Sequence, residues 1–164
     1  LDLFDVSDLD DIRKEIIIMS QTNHQNLISY YVSFIDNTDI WLVMPLFSAG
    51  SVDQILHFNN QNGIKDEVII ATILKQVILG LNYFHNKCQI HRDIKGGNIL
   101  VGLHGKVVLS DFGISTKVKS MQGRKHTFVG SPCWMAPEVM EQRPEGYDLK
   151  ADIWSLGITA LELA

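Results

Sequence analysis

The amino-acid sequence predicts an α+β fold. Two observations carry the helices: residues from about 66 to 86 repeat apolar side chains on one broad helical face, and an almost wholly apolar stretch runs from about 149 to 164. A third carries the strands. Two β-rich runs lie near 29–35 and 39–44, and a later pair, Ile99-Leu100-Val101 and Lys106-Val107-Val108-Leu109, flanks a Gly102-to-Gly105 turn.

From the N-terminus, an amphipathic stretch from about 8 to 21 reads as the first helix, with Glu15 and Met19 one turn apart on the same face. Trp41-Leu42-Val43-Met44-Pro45-Leu46-Phe47 reads as a buried strand running into a linker, in which Pro45 has no N–H to donate. Ser51-Val52-Asp53-Gln54 is a capping box that should start a short helix over 52–58. Asn59 to Gly63 is turn-rich. In the long helix that follows, Ile70, Ile73, Leu74, Val77, Ile78, Leu81 and Phe84 share the face expected to be buried. A short helix is expected near 136–141. In the last helix Ile153, Trp154, Leu156, Ile158, Leu161 and Leu163 nearly encircle the axis, a pattern that predicts burial on every side.

Composition bounds the class. At 164 residues, 46% hydrophobic and 20% charged, the chain has the make-up of a globular domain with room for a core. A net charge of −5 argues against bulk nucleic-acid binding. The sequence has no uninterrupted run of about 18 apolar residues, so no membrane span is expected. Asp2, Asp5 and Asp8 spoil the pattern of a signal peptide. Cys88 and Cys133 lie far apart with no CxxC spacing, as reduced thiols would.

The chemistry lies in His91-Arg92-Asp93-Ile94-Lys95-Gly96-Gly97-Asn98 and, further on, Asp111-Phe112-Gly113. Phosphoryl transfer needs positioning and charge neutralisation more than covalent help. Asp93 is suited to orient an acceptor hydroxyl and take its proton, and Lys95 to neutralise charge on the moving group. Asn98 and Asp111 offer a neutral and a charged oxygen ligand for Mg²⁺. The predicted hairpin between them would return both to one cleft. Between Asp111 and Glu138 the chain is basic, with Lys117, Lys119, Arg124, Lys125 and His126 ahead of Thr127, so a phosphate on Thr127 would pair with nearby cations and order the loop.

With Ala136-Pro137-Glu138 completing the set in order, the chain resembles the eukaryotic protein kinases. Residues 127–142, Ser20-Gln21 and Tyr30-Tyr31-Val32-Ser33-Phe34 are similar to the sterile-20-type kinases, in particular the branch containing SPAK, the oxidative-stress-responsive kinase and fly Fray. The resemblance implies a truncated two-lobed fold, with part of the N-lobe over 1–46 and part of the C-lobe over 47–164. It implies ATP and Mg²⁺ as cofactors and a cytoplasmic serine/threonine kinase, with Lys95 fitting that class. Glu15 then matches the family's αC glutamate, and Met19, Tyr30, His91 and Phe112 its stacked spine. Met44 matches the gatekeeper, and Leu46 and Phe47 belong to the adenine hinge. Thr127 matches the activation phosphosite, with Arg92 as its partner. Ser131 touches the catalytic pair and helps select the acceptor. Asp152 could cap the last helix or hold the His91-Arg92 backbone, and the resemblance favours the second. Glu138 meets an arginine in relatives that this sequence does not contain, so it should be solvated and unpaired. The branch further implies cation-chloride cotransporters as substrates and a WNK-type upstream kinase.

The sequence contains no GxGxxG and no VAIK-like lysine ahead of Glu15, and it stops at the helix the family calls αF. Two readings compete: a piece of an active kinase, or a non-catalytic interaction module that regulates a partner kinase. Intact Asp93, Asn98 and Asp111 favour the first. Taken alone, the piece should leave the last helix's surface and one sheet edge uncovered.

Overall fold

A computed structural model describes residues 13, 15–37, 39–59 and 63–164. The expected beginning of the first helix, together with Lys14 and most of the 59–63 turn, lies outside the described residues. Helix α1 is recorded at residues 15–20. Strands β1 (Val32–Asp36) and β2 (Asp39–Val43) form an antiparallel ribbon in the register Val32↔Val43 to Asp36↔Asp39.

Helix α2 (Val52–Phe58) starts where the capping box predicts: Ser51 Oγ accepts from Gln54 N–H at 3.2 Å and Gln54 Oε1 accepts from Ser51 N–H at 2.9 Å. Helix α3 (Glu67–Asn86) is capped by Asp66 and buries Ile73, Val77, Leu81 and Phe84. Ile78 departs from the expected face and is 50% exposed, because the packed stripe is narrower than the apolar one. By length and composition α3 is apolar enough to cross a bilayer, as the core helices of globular proteins also are. Here its buried stripe packs into the main core with β-strand and loop residues such as Leu27, Ile99 and Val107.

The predicted hairpin forms from β5 (Ile99–Val101) and β6 (Val107–Leu109), in the register Ile99↔Leu109. A two-residue strand, β3 (Gly50–Ser51), extends it, and β4 (Gln89–Ile90) pairs with β7 (Thr116–Lys117). The sequence patterns give no sign of these three short strands. Helix α4 (Pro137–Met140) and helix α5 (Lys150–Leu163) close the chain.

Two further expectations of burial are met only in part. Trp41, Val43 and Met44 are exposed while Leu42 and Phe47 pack against the core, since the described ribbon has only two strands and one face open. Around α5, Leu163, Ser155 and Thr159 are buried, but Ile153, Trp154 and Leu161 are exposed, against the expectation of burial on every side and in line with the expectation that this piece taken alone leaves the last helix's surface uncovered.

Candidate active site

The turn from His91 to Asn98 leaves β4 and is fastened from beneath by α5. Asp152, fully buried, accepts through Oδ1 from Arg92 N–H at 2.8 Å and through Oδ2 from His91 N–H at 2.9 Å. Oδ2 also contacts His85 Nε2 at 2.7 Å. Arg92 sits at φ +75°, a left-handed conformation unusual for a non-glycine residue, and these bonds hold it there.

Above this fastening the turn presents Asp93. Ser131 Oγ donates to Asp93 Oδ1 at 2.6 Å and accepts from Lys95 Nζ at 2.7 Å, while Lys95 Nζ lies 2.9 Å from Asp93 Oδ2. The three side chains close a triangle. Burial works against ionising Asp93, but hydrogen bonds from Ser131 and Lys95, the Lys95 charge and the Asn98 amide outweigh it and hold the carboxyl below its ordinary value. Asn98 Nδ2 donates to Asp93 O and Oδ2, both at 2.8 Å, which leaves its own side-chain oxygen as the ligand-capable atom.

The hairpin carries the chain back as its strand pattern predicts. Ser110 N–H and Oγ–H both donate to Asn98 O, at 2.8 and 3.0 Å, so Asp111 starts beside Asn98. Asp111 is exposed, at φ +65°. Glu15 reaches the same corner, accepting from Phe112 N–H at 3.4 Å. Burial, and next the nearby Asp111 charge, raise the Glu15 carboxyl above its usual range against the lowering effect of the Phe112 N–H.

Met19, His91 and Phe112 are buried, and Tyr30 packs against the same core. The rings of His91 and Phe112 meet edge-on at 5.6 Å, and Phe84, expected only as a buried residue of the long helix and not as a neighbour of this spine, stacks on Phe112 at 5.3 Å. His91 Nδ1 accepts from Asp93 N–H, so Nε2 carries the proton towards Ser110 O at 3.2 Å. Burial lowers its pKa against the pull of the surrounding carboxylates, which suits a neutral packed ring.

In the 111–138 segment, Arg92 Nη1 donates to Thr127 Oγ1 at 2.8 Å, and Arg92 Nε donates to Ile114 O. Tyr147 joins them. Its hydroxyl donates to Thr127 O at 2.8 Å and lies 3.3 Å from Thr127 Oγ1.

The remaining predicted residues are not gathered into this cluster. Met44 and Leu46 are exposed, the latter at 90%, while Phe47 turns its ring towards Gly102 and Lys106. Glu138 lies beside Lys150, Ile153 and Trp154 on the open side of α5, half-buried and with no hydrogen bond or ion pair among the described residues. Both cysteines are free thiols.

Sequence reasoning missed His85, Ser110, Tyr147 and Glu162. Glu162 Oε2 accepts from Gly96 N–H at 2.9 Å and from Trp134 Nε1–H at 3.0 Å, joining the turn to the segment after Ser131. Each acts through a contact at least 12 residues away in sequence, so no local pattern announces it.

A carboxylate, a lysine and a serine interlocked above a fastened turn, with an amide and a second carboxylate returned by a hairpin, define a class. The protein kinase domain family matches residues 4–164, and the chain belongs to that family. Among relatives, Germinal center kinase 3 of Caenorhabditis elegans is 52% identical over 170 residues, covering 95% of this chain and 28% of the relative. Serine/threonine-protein kinase fray2 of Dictyostelium discoideum is 50% identical over 157 residues, covering 95% of this chain and 15% of the relative. The chain thus spans less than a third of the length of these two relatives. The expected truncated α+β kinase fold and the sterile-20-type resemblance both hold.

Proposed function

We propose that the chain is the catalytic segment of an ATP- and Mg²⁺-dependent serine/threonine protein kinase. The observation that carries this reading is the Asp93–Lys95–Ser131 triangle. Ser131 Oγ, bonded to both charged groups, occupies a position like the one an incoming hydroxyl would need. Asp93 orients that hydroxyl and receives its proton, and its lowered pKa keeps it ionised at neutral pH. Lys95 neutralises charge on the transferring group.

The donor set fits magnesium. Asn98 and Asp111 are hard oxygen ligands on adjacent backbone, and two protein ligands leave the remaining positions to phosphate and water, as is usual for this ion. Bound Mg²⁺·ATP supplies the γ-phosphoryl group and the positive charge that screens it. Asn98, locked by its bonds to Asp93, orients its free oxygen, and Asp111 adds the second. The 44–47 linker, with Met44 and Leu46 exposed, provides the adenine edge, Glu15 orders the Phe112 turn, and Thr127 is the activating phosphosite. By the same kinship we propose a cytoplasmic enzyme, acting on membrane cation-chloride cotransporters and answering to a WNK-type kinase.

The test is Asp93→Asn in the intact protein, assayed with a generic protein acceptor and phosphoamino-acid analysis. Phosphotransfer should fall by about 10²–10⁴-fold, and the native product should be phosphoserine or phosphothreonine. Undiminished transfer by the variant would overturn the assignment, and an intact native protein that transfers no phosphate would favour the interaction-module reading.

A further inference from the structure

We propose that Tyr147 is the second reader, with Arg92, of the phosphorylation state of Thr127, and that its hydroxyl proton changes acceptor when that residue is phosphorylated. The inference rests on the reading of Thr127 as the activating phosphosite. The Tyr147 ring is 3% exposed and held in place by its own backbone, which pairs with Lys125 through two N–H···O bonds of 2.8 Å. Gly146 makes this closeness possible: it lies at φ +69°, and a Cβ there would come within 2.4 Å of Lys125 O. The hydroxyl can therefore redirect its proton by rotating about one C–O bond while the ring stays put.

The contact lengths of the unphosphorylated cluster favour one assignment of its protons. Tyr147 has a single O–H, and its shortest contact, 2.8 Å, is to the carbonyl of Thr127, so it donates there. At the 3.3 Å contact the Thr127 hydroxyl must then be the donor and Tyr147 the acceptor. Arg92 Nη1 donates to Thr127 Oγ1 at 2.8 Å and lies 3.4 Å from the tyrosine oxygen. The unmodified segment is thus latched through the Thr127 carbonyl.

Phosphorylation cannot leave this arrangement as it stands. An upstream kinase forms a bond between Thr127 Oγ1 and the γ-phosphorus of ATP, the bond from that phosphorus to ADP breaks, and the hydroxyl proton leaves with the upstream enzyme's base. Thr127 loses its only side-chain donor and gains oxygens that only accept, carrying a charge of about −1.5 to −2. A tyrosine oxygen still offering a lone pair would face that charge with nothing to share. Turning the O–H from the carbonyl to the phosphate removes the conflict, adds a charge-assisted bond beside that of Arg92, and releases the Thr127 carbonyl. Tyr147 is a positioning residue: it acts on the segment, not on substrate.

The experiment is a double-mutant cycle on the intact kinase: wild type, Tyr147→Phe, Thr127→Ala and both together, with the Thr127-containing pair brought to equal phosphate occupancy. Tyr147→Phe should lower kcat/KM roughly tenfold in phosphorylated enzyme, the scale of one hydrogen bond to a charged group, and less than about twofold in the Thr127→Ala background. A phosphatase should also remove the Thr127 phosphate several-fold faster from the phenylalanine variant. An equal loss in both backgrounds, or no loss in either, makes Tyr147 a packing residue and overturns the proposal. If Thr127→Ala alone keeps wild-type activity, the phosphosite reading itself fails and takes the proposal with it.

Discussion

Replacing Asp152 with asparagine would show how much one buried carboxylate does for the turn that carries Asp93. Its two oxygens serve three donors, Arg92 N–H, His91 N–H and His85 Nε2, at 2.7 to 2.9 Å. Asparagine offers one oxygen and one NH₂, so either orientation points a donor at one of the two backbone N–H groups. With NH₂ in place of Oδ2, His91 N–H is orphaned, while His85 adapts by moving its proton to Nδ1 and accepting. With the amide flipped, Arg92 N–H is orphaned instead. A buried unsatisfied donor costs about 1–3 kcal/mol, and the surviving bond loses its charge assistance, so the total comes to about 2–4 kcal/mol. The turn also holds Arg92 at φ +75°, and weakening its tether lets that backbone relax and carries Asp93 out of register with Ser131. Urea unfolding of the intact protein, followed by tryptophan fluorescence, should show a lower midpoint at unchanged slope. At saturating substrate kcat should fall on the order of tenfold or more. A stability loss below about 0.5 kcal/mol with kcat unchanged would refute the reasoning, because no buried N–H could then have lost its partner.

Three further outcomes follow from the same geometry. Ser131→Ala removes a hydrogen bond that favours ionised Asp93, so the acid limb of the kcat/KM profile should move to higher pH, while Ser131→Thr, which keeps the hydroxyl, should leave it in place. Because the Asp93 carboxyl is depressed in the fold, it contributes stability above its ordinary pKa of 3.8 that is lost as pH falls below that value; acid titration of Asp93→Asn should lack this component. Gly96→Ala would place a Cβ 2.6 Å from Glu162 Oε1, on a carboxylate already held by Gly96 and Trp134, and should cost about 1–3 kcal/mol in the same urea assay.

Local chemistry made much of this molecule legible in advance. Ser51 and Gln54 can satisfy each other only at a helix start, so α2 was readable to the residue, and the two short β-rich runs around a glycine turn between Asn98 and Asp111 announced the hairpin. Patterns with helical or strand period describe one element at a time. For that reason Trp41, Ile78 and Trp154 could be marked as apolar, but whether a neighbour covers each of them is a property of the assembly, and all three are exposed. The two-residue strands β3, β4 and β7 are too short for any periodicity and exist only because a partner strand is within reach.

The sequence by itself determined which groups are candidates for the chemistry proposed here, because Asp93, Lys95, Asn98 and Asp111 sit in motifs whose spacing is set by the backbone between them. Only the tertiary structure decided how those groups are charged, aimed and fastened. Ser131 on Asp93, Asp152 under His91 and Arg92, Glu162 across to Gly96 and Tyr147 against Thr127 each join residues 20 or more positions apart. A hydrogen bond is lost within an ångström of misplacement, and that separation is fixed only when the helices have packed.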